Sequence, residues 1–142
     1  MYLKLYNTLT NSLEDFVPID NSNVRIYVCG PTVYDLIHVG NARPIVVFDI
    51  LVRLLKSFYP KVTYVRNITD VDDKINDQAM KNNENISQLT SRTIKAFNED
   101  TESLGALIPD FEPRATEHIP HMISMIRKLI NFGNAYVSEG HV

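Results

Sequence analysis

The stretch from Val24 to Asn41, VRIYVCGPTVYDLIHVGN, constrains the fold more than any other part of the chain. Ile26-Tyr27-Val28 is β-branched and aromatic, so a buried strand is expected over Val24–Cys29. Cys29-Gly30-Pro31-Thr32 ends it in a turn, and the loop runs on to Ile37. His38-Val39-Gly40-Asn41 then opens an apolar segment. Ile45, Phe48, Ile50, Leu51, Leu54 and Leu55 recur at three- and four-residue spacing, which predicts a helix from about Asn41 to Phe58 with one buried face. Pro44 is expected in its first turn, and Tyr59-Pro60 stops it. Val62-Thr63-Tyr64-Val65 reads as a second buried strand. Strand, helix and strand at this spacing make a right-handed βαβ unit of a parallel sheet. Ligands of such sheets bind beyond the carboxyl ends of the strands. Cys29–Thr32 and Asn67–Asp70 are therefore expected on one rim.

Several residues of this unit could carry chemistry. His38 and Gly40 at a helix start place an imidazole and bare N–H groups at the positive end of a helix dipole, where a phosphate would sit. On spacing alone, capping or packing is the commoner role for such a histidine. Cys29 by itself is ordinarily a small buried hydrophobe. Facing the rim, it becomes a credible thiolate ligand. Zinc needs about four ligands, however, and no Cys-x-x-Cys or His-x-x-x-His partner accompanies it. His118 and His121 fall on a helix expected to lie far from it, so metal binding within this chain is not expected from the residues alone. Asp70, Asp72 and Asp73 could act as acid/base groups or Mg²⁺ ligands. First-turn helix charge accounts better for Asp72 and Asp73, and the site role falls to Thr69 at the strand's end. Arg114 could bind a phosphate or pair with Glu117, and the residues favour neither.

The rest of the chain reads as mostly helical. A short edge strand is expected within Leu3–Leu9, then a loop or hairpin over Asn11–Asn23. Thr69 or Asp70 is expected to cap a helix continuing through Ile75–Met80. Ser87 is expected to cap a longer one ending near Ser103, with Leu89, Ile94, Phe97 and Leu104 apolar. Gly105, Pro109 and Pro113 mark an irregular link anchored by a buried Phe111. Thr116 is expected to cap a helix over Glu117–Phe132, with Ile119, Met122, Ile123, Ile126, Leu129 and Ile130 on one face and Gly133 closing it. Ala135-Tyr136-Val137 opens a strand, and Glu139-Gly140 is a hairpin turn whose partner strand is missing, as in a truncated product.

At 142 residues one domain of ordinary size is expected. It divides into a parallel-sheet half over 1–80 and a helical segment over 81–142. Apolar runs stay short of the ~18 residues of a membrane helix, and Met1–Thr8 shows no export signal. With one cysteine this suggests a reducing, cytoplasmic setting. The net charge of -3 gives no support for broad electrostatic binding to nucleic acid.

Four motifs together resemble a known family. Tyr27-Val28-Cys29-Gly30-Pro31-Thr32-Val33-Tyr34-Asp35, His38-Val39-Gly40-Asn41, Tyr64-Val65-Arg66-Asn67-Ile68-Thr69-Asp70-Val71-Asp72-Asp73-Lys74 and Pro113-Arg114-Ala115-Thr116-Glu117-His118-Ile119 are similar, in order, to the N-terminal part of bacterial cysteinyl-tRNA synthetases. The likeness covers essentially the whole chain. It implies an α/β fold: the first half of a Rossmann-type (HUP-like) parallel-sheet nucleotide-binding domain, followed by a helical insertion and truncated. It implies ATP-dependent activation of L-cysteine to cysteinyl-adenylate and transfer to tRNA(Cys), with Zn²⁺ and Mg²⁺-ATP, by a cytoplasmic, monomeric enzyme with no membrane partner.

The same resemblance implies roles. Cys29 matches the family's first zinc ligand, and a zinc–thiolate bond to the substrate rejects serine. Pro31 to Asn41 matches the HIGH signature region. Pro31, Thr32, His38, Gly40 and Asn41 would hold ATP, with His38 and Asn41 catalytic. Cys29, Gly30, Thr32, Asn67 and Thr69 would meet the amino acid. Two departures stand out. Asn41 replaces the signature's last histidine and cannot carry charge. The family's three other zinc ligands, KMSKS loop and anticodon-binding region are not in this sequence, so the chain alone is expected to hold no zinc and to be inactive. Two other readings are compatible with these residues: the related cysteine ligase of mycothiol synthesis, and a stand-alone nucleotide-binding module.

Overall fold

The computed structural model describes residues 3–142. The elements are β1 (Lys4–Asn7), β2 (Ser12–Asp15), β3 (Val24–Val28), α1 (Val39–Phe58), β4 (Val62–Arg66), α2 (Asp73–Asn82), α3 (Ile86–Ser103), a 3-10 turn (Thr116–His118) and α4 (Ile119–Asn131). β1 and β2 form an antiparallel hairpin, realising the expected edge strand and placing a strand inside the polar Asn11–Asn23 stretch.

β3 and β4 pair in parallel, from Val24 opposite Val62 to Val28 opposite Arg66. This is the expected βαβ unit. Val28, Val52 and Tyr64 pack between sheet and helix, and Val24, Leu55 and Val62 form a second cluster beside them. The buried stripe of α1 is Ile45, Val52 and Leu55. Ile50, placed on that face by the spacing, is 61% exposed instead. Pro44 is not in the first turn, because the helix begins at Val39. It lies one turn deeper, where the missing N–H leaves the Gly40 carbonyl without its i+4 donor.

Residues 110–115 run along the other side of β4. Arg66 N–H donates to Phe111 O at 3.1 Å, Ile68 N–H to Pro113 O at 2.9 Å and Ala115 N–H to Ile68 O at 3.0 Å. Both bridges on this side are parallel, Val65 to Phe111 and Ile68 to Arg114. The supposed irregular link is thus a third strand-like segment, and β4 is central. Phe111 is exposed and anchors nothing with its ring. Asp110 holds the segment instead, its Oδ2 accepting the Tyr64 N–H at 2.7 Å.

The caps also differ from expectation. Asp72, not Thr69 or Asp70, caps α2 by accepting the Lys74 N–H at 2.9 Å. Asn85, not Ser87, caps α3 in a reciprocal box with Gln88. Ser87 donates its hydroxyl to the Asn85 cap. In each case the residue one position outside the helix is the one whose extended backbone lets its side chain turn back onto the first turn.

Leu89, Ile94 and Phe97 of α3 share one core with Val33, Ile45, Ile68 and Ile75, so residues on both sides of position 80 pack together. Leu104 is exposed. α4 is amphipathic as expected but buries no residue, and Thr116 does not cap it. Gly133 follows it at φ +72, the left-handed position that closes a helix. Ser138 and His141 exchange both backbone hydrogen bonds around Glu139-Gly140, each with positive φ, which is the expected tight turn. Ala135–Val137 forms no strand.

Candidate functional site

The ends of β3 and β4 meet on one rim, as the topology requires. Thr32 and Thr69 form a parallel bridge. Thr69 N–H donates to Pro31 O at 3.0 Å, and Val33 N–H to Thr69 O at 3.1 Å. Below this, Gly30 N–H donates to Asn67 Oδ1 at 2.9 Å. Asn67 Nδ2 donates to Thr69 Oγ1 at 3.2 Å. One amide side chain thus ties the cysteine-bearing loop to the threonine hydroxyl.

Gly30 has a steric reason to be glycine. The Asn67 carbonyl oxygen occupies the space a Cβ there would need. Pairing β3 with β4 closely enough to bring Thr32 against Thr69 forces this backbone approach.

The helix start completes the site. His38 is the N-cap of α1, and Gly40 N–H donates to its Nδ1 at 3.0 Å. Nδ1 is therefore an acceptor, and the neutral ring carries its proton on Nε2. His38 N–H donates to Asn41 Oδ1 at 3.1 Å. That fixes the amide's orientation, with Oδ1 toward the His38 N–H, and among the described residues leaves both Nδ2 protons free to donate to a ligand. The departure to asparagine thus gives a neutral capping-box partner. A Cβ on Gly40 would come within 2.7 Å of the His38 ring, so glycine makes room for the imidazole cap.

A cavity of about 130 Å³ lies between the two loops and α1, lined by Cys29, Gly30, Pro31, Gly40, Asn41 and Arg66 among others. Five of these were singled out in the sequence, and Arg66 was not. Its guanidinium is buried, pairs with Glu112 at 3.0 Å and lies 4.9 Å from the centre of the Phe97 ring. Cys29 is an exposed free thiol.

A second pocket of about 320 Å³ brings Asn67 and Tyr27 together with Arg114, His118 and His121. The histidine helix is therefore close to this rim, contrary to expectation. The two rings are 5.8 Å apart, and His118 Nδ1 lies 3.0 Å from Arg114 O. The 113–118 turn is fastened to the strand by Asp70: Oδ1 accepts Thr116 N–H at 2.9 Å and Oδ2 accepts the Thr116 hydroxyl at 2.6 Å. Asp70 and Thr116 are 46 residues apart, so no local spacing signals the pair. The sequence offers Asp70 as a helix cap or an acid/base group, and the structure instead uses both of its carboxylate oxygens on Thr116.

Among the described residues, no three His, Cys, Asp or Glu side chains are grouped to hold a metal ion. No helix among them is long and apolar enough to cross a membrane.

A family model described as tRNA synthetases class I (C) catalytic domain matches residues 15–142. Curated relatives named cysteine--tRNA ligase are similar over nearly the whole chain. That of Rhodospirillum centenum is 62% identical over 142 residues, covering 100% of this chain and 31% of the relative. That of Ehrlichia ruminantium is 61% identical over 138 residues, covering 97% and 30%. That of Rhodospirillum rubrum is 58% identical over 142 residues, covering 100% and 31%. The chain therefore spans under a third of the length of these relatives.

Proposed function

The chain belongs to the class I (C) tRNA synthetase catalytic-domain family, and from that premise we propose that it forms part of an enzyme that activates L-cysteine with ATP and transfers it to tRNA(Cys). In the first step a carboxylate oxygen of cysteine attacks the α-phosphorus of ATP. The P–O bond to pyrophosphate breaks, giving cysteinyl-adenylate. In the second, a hydroxyl of the tRNA's terminal ribose attacks the acyl carbon and AMP leaves.

The observation that carries this reading is the shared rim, with Thr32 bridged to Thr69 and Gly30 tied to Asn67. His38 and Asn41 are the proposed ATP-phosphate donors, through Nε2–H and Nδ2–H. Both lie at the positive end of α1, where added negative charge is stabilised. Pro31, Thr32 and Gly40 form the backbone surface against which the nucleotide packs. Cys29, Gly30, Thr32, Asn67 and Thr69 face the amino acid. Residues 1–80 then supply the rim, and residues 81–142 lead toward the connective insertion. A single free cysteine fits a reducing, cytoplasmic setting.

Among the described residues, no second and third His, Cys, Asp or Glu side chain is grouped with Cys29. Cys29 offers one thiolate, and tetrahedral zinc needs about four ligands. Cys29 is proposed as one such donor, and no step here runs through the metal.

The test is cysteine-dependent ATP–pyrophosphate exchange by the full-length gene product, with ATP calorimetry on this chain beside it. Exchange that requires cysteine supports the reading. Exchange with another amino acid, or none, sinks it.

A further inference from the structure

The polarity of the hydrogen bonds through Asn67 carries an inference beyond a list of substrate contacts. Gly30 N–H can only donate, so the atom facing it must be the amide oxygen of Asn67. That fixes the amide's orientation and leaves Nδ2 to face Thr69. Nδ2 can only donate, so Thr69 Oγ1 is the acceptor at 3.2 Å. A hydroxyl that accepts along this line has its own proton left to give. Among the described residues that proton has no hydrogen-bond acceptor, and Thr69 lies on the rim opposite Thr32.

We infer that Asn67 is a positioning residue: by accepting from Gly30 and donating to Thr69, it holds the Thr69 hydroxyl as a donor aimed at an acceptor atom of the amino-acid substrate. This rests on the proposed function, and it reassigns Asn67 from touching the substrate to acting through Thr69. The same amide holds the Cys29-Gly30 turn, so the thiol's loop and the hydroxyl move as one unit. An aspartate in its place can still accept from Gly30 N–H but cannot donate. Thr69 would then turn its proton inward to the carboxylate, and the substrate would meet lone pairs instead of a donor.

The experiment is ATP–pyrophosphate exchange by the full-length gene product, with separate KM values for cysteine and ATP. Asn67→Asp is expected to raise the cysteine KM about tenfold and to leave the ATP KM within about twofold. Thr69→Val should give the same selective rise, and Thr69→Ser, which keeps the hydroxyl, should recover most of it. The Asn67→Asp/Thr69→Val double variant should be no worse than either single one, since both remove the same donor. A purely structural role would move both KM values together and add in the double variant. Additive losses, equal effects on both substrates, or a Thr69→Val enzyme with the unsubstituted cysteine KM overturn the inference while exchange itself upholds the functional reading. Absence of exchange in the unsubstituted protein overturns both. Where Asn67→Asp lowers the folded yield, the Thr69→Val and Thr69→Ser pair decides.

Discussion

The carbonyl oxygen of Asn67 sits 1.6 Å from where the Cβ of any side chain at position 30 would begin. The obstacle is backbone, fixed by the parallel pairing of β3 with β4, and cannot rotate aside as a flexible side chain would. Gly30→Ala should therefore separate the two loops and break the Gly30–Asn67 hydrogen bond. Overpacking of this kind costs about 2 kcal/mol or more. Urea unfolding measures it, and a loss below about 0.5 kcal/mol would show that the loops are not held this closely.

Gly40→Ala tests the opposite case, where the obstacle is a side chain. The His38 ring can swing away from the new methyl group. Losing the cap costs about 1 kcal/mol, and replacing a helical glycine with alanine returns about 1 kcal/mol. Stability should thus stay nearly unchanged. The His38 ring resonances should shift and ATP binding by calorimetry should weaken, because the imidazole no longer lies across the helix start. Unaltered ATP affinity with a displaced ring would remove His38 from the phosphate site.

The Asp70–Thr116 clasp predicts strong coupling. Asp70 is buried and uses both carboxylate oxygens on one residue. Thr116→Val leaves Oδ2 without its hydroxyl partner and should cost ~1–3 kcal/mol. In a double-mutant cycle with Asp70→Asn, the interaction energy should exceed about 1 kcal/mol. Simple additivity of the two denaturation losses would mean that the clasp does not hold the 113–118 turn.

Asp49 sets an acid limit. Burial pushes its carboxyl up, but the Arg53 guanidinium at 2.7 Å and the Leu107 N–H at 2.8 Å outweigh this and hold it below the ordinary range. A carboxyl with a depressed folded pKa adds stability that is present above its unfolded value, about 3.9. That stability is lost as pH falls through the folded value. Thermal unfolding should therefore show a drop in stability as pH goes below about 4, with a smaller drop in Asp49→Asn. A variant whose acid dependence matches the unsubstituted chain would show that this carboxylate does not contribute.

The sequence by itself determined the βαβ unit, its parallel sense, the shared rim and the helix-start histidine. Each of these follows from local period and from a crossover with one favoured hand, which neighbouring residues encode. The N-caps of α2 and α3 were missed by two or three positions, because propensity identifies capping residue types but only backbone geometry picks among neighbouring ones. Tertiary structure alone decided that residues 110–115 run beside β4, that Asp70 holds Thr116, and that Asn67 joins Gly30 to Thr69. Those partners lie up to 46 residues apart, and a hydrogen bond across such a span leaves no periodic trace in the chain. The exposure of Ile50 and of α4's apolar face was likewise undecidable from spacing: amphipathicity says which side of a helix could be buried, while only the packing of other elements says whether it is.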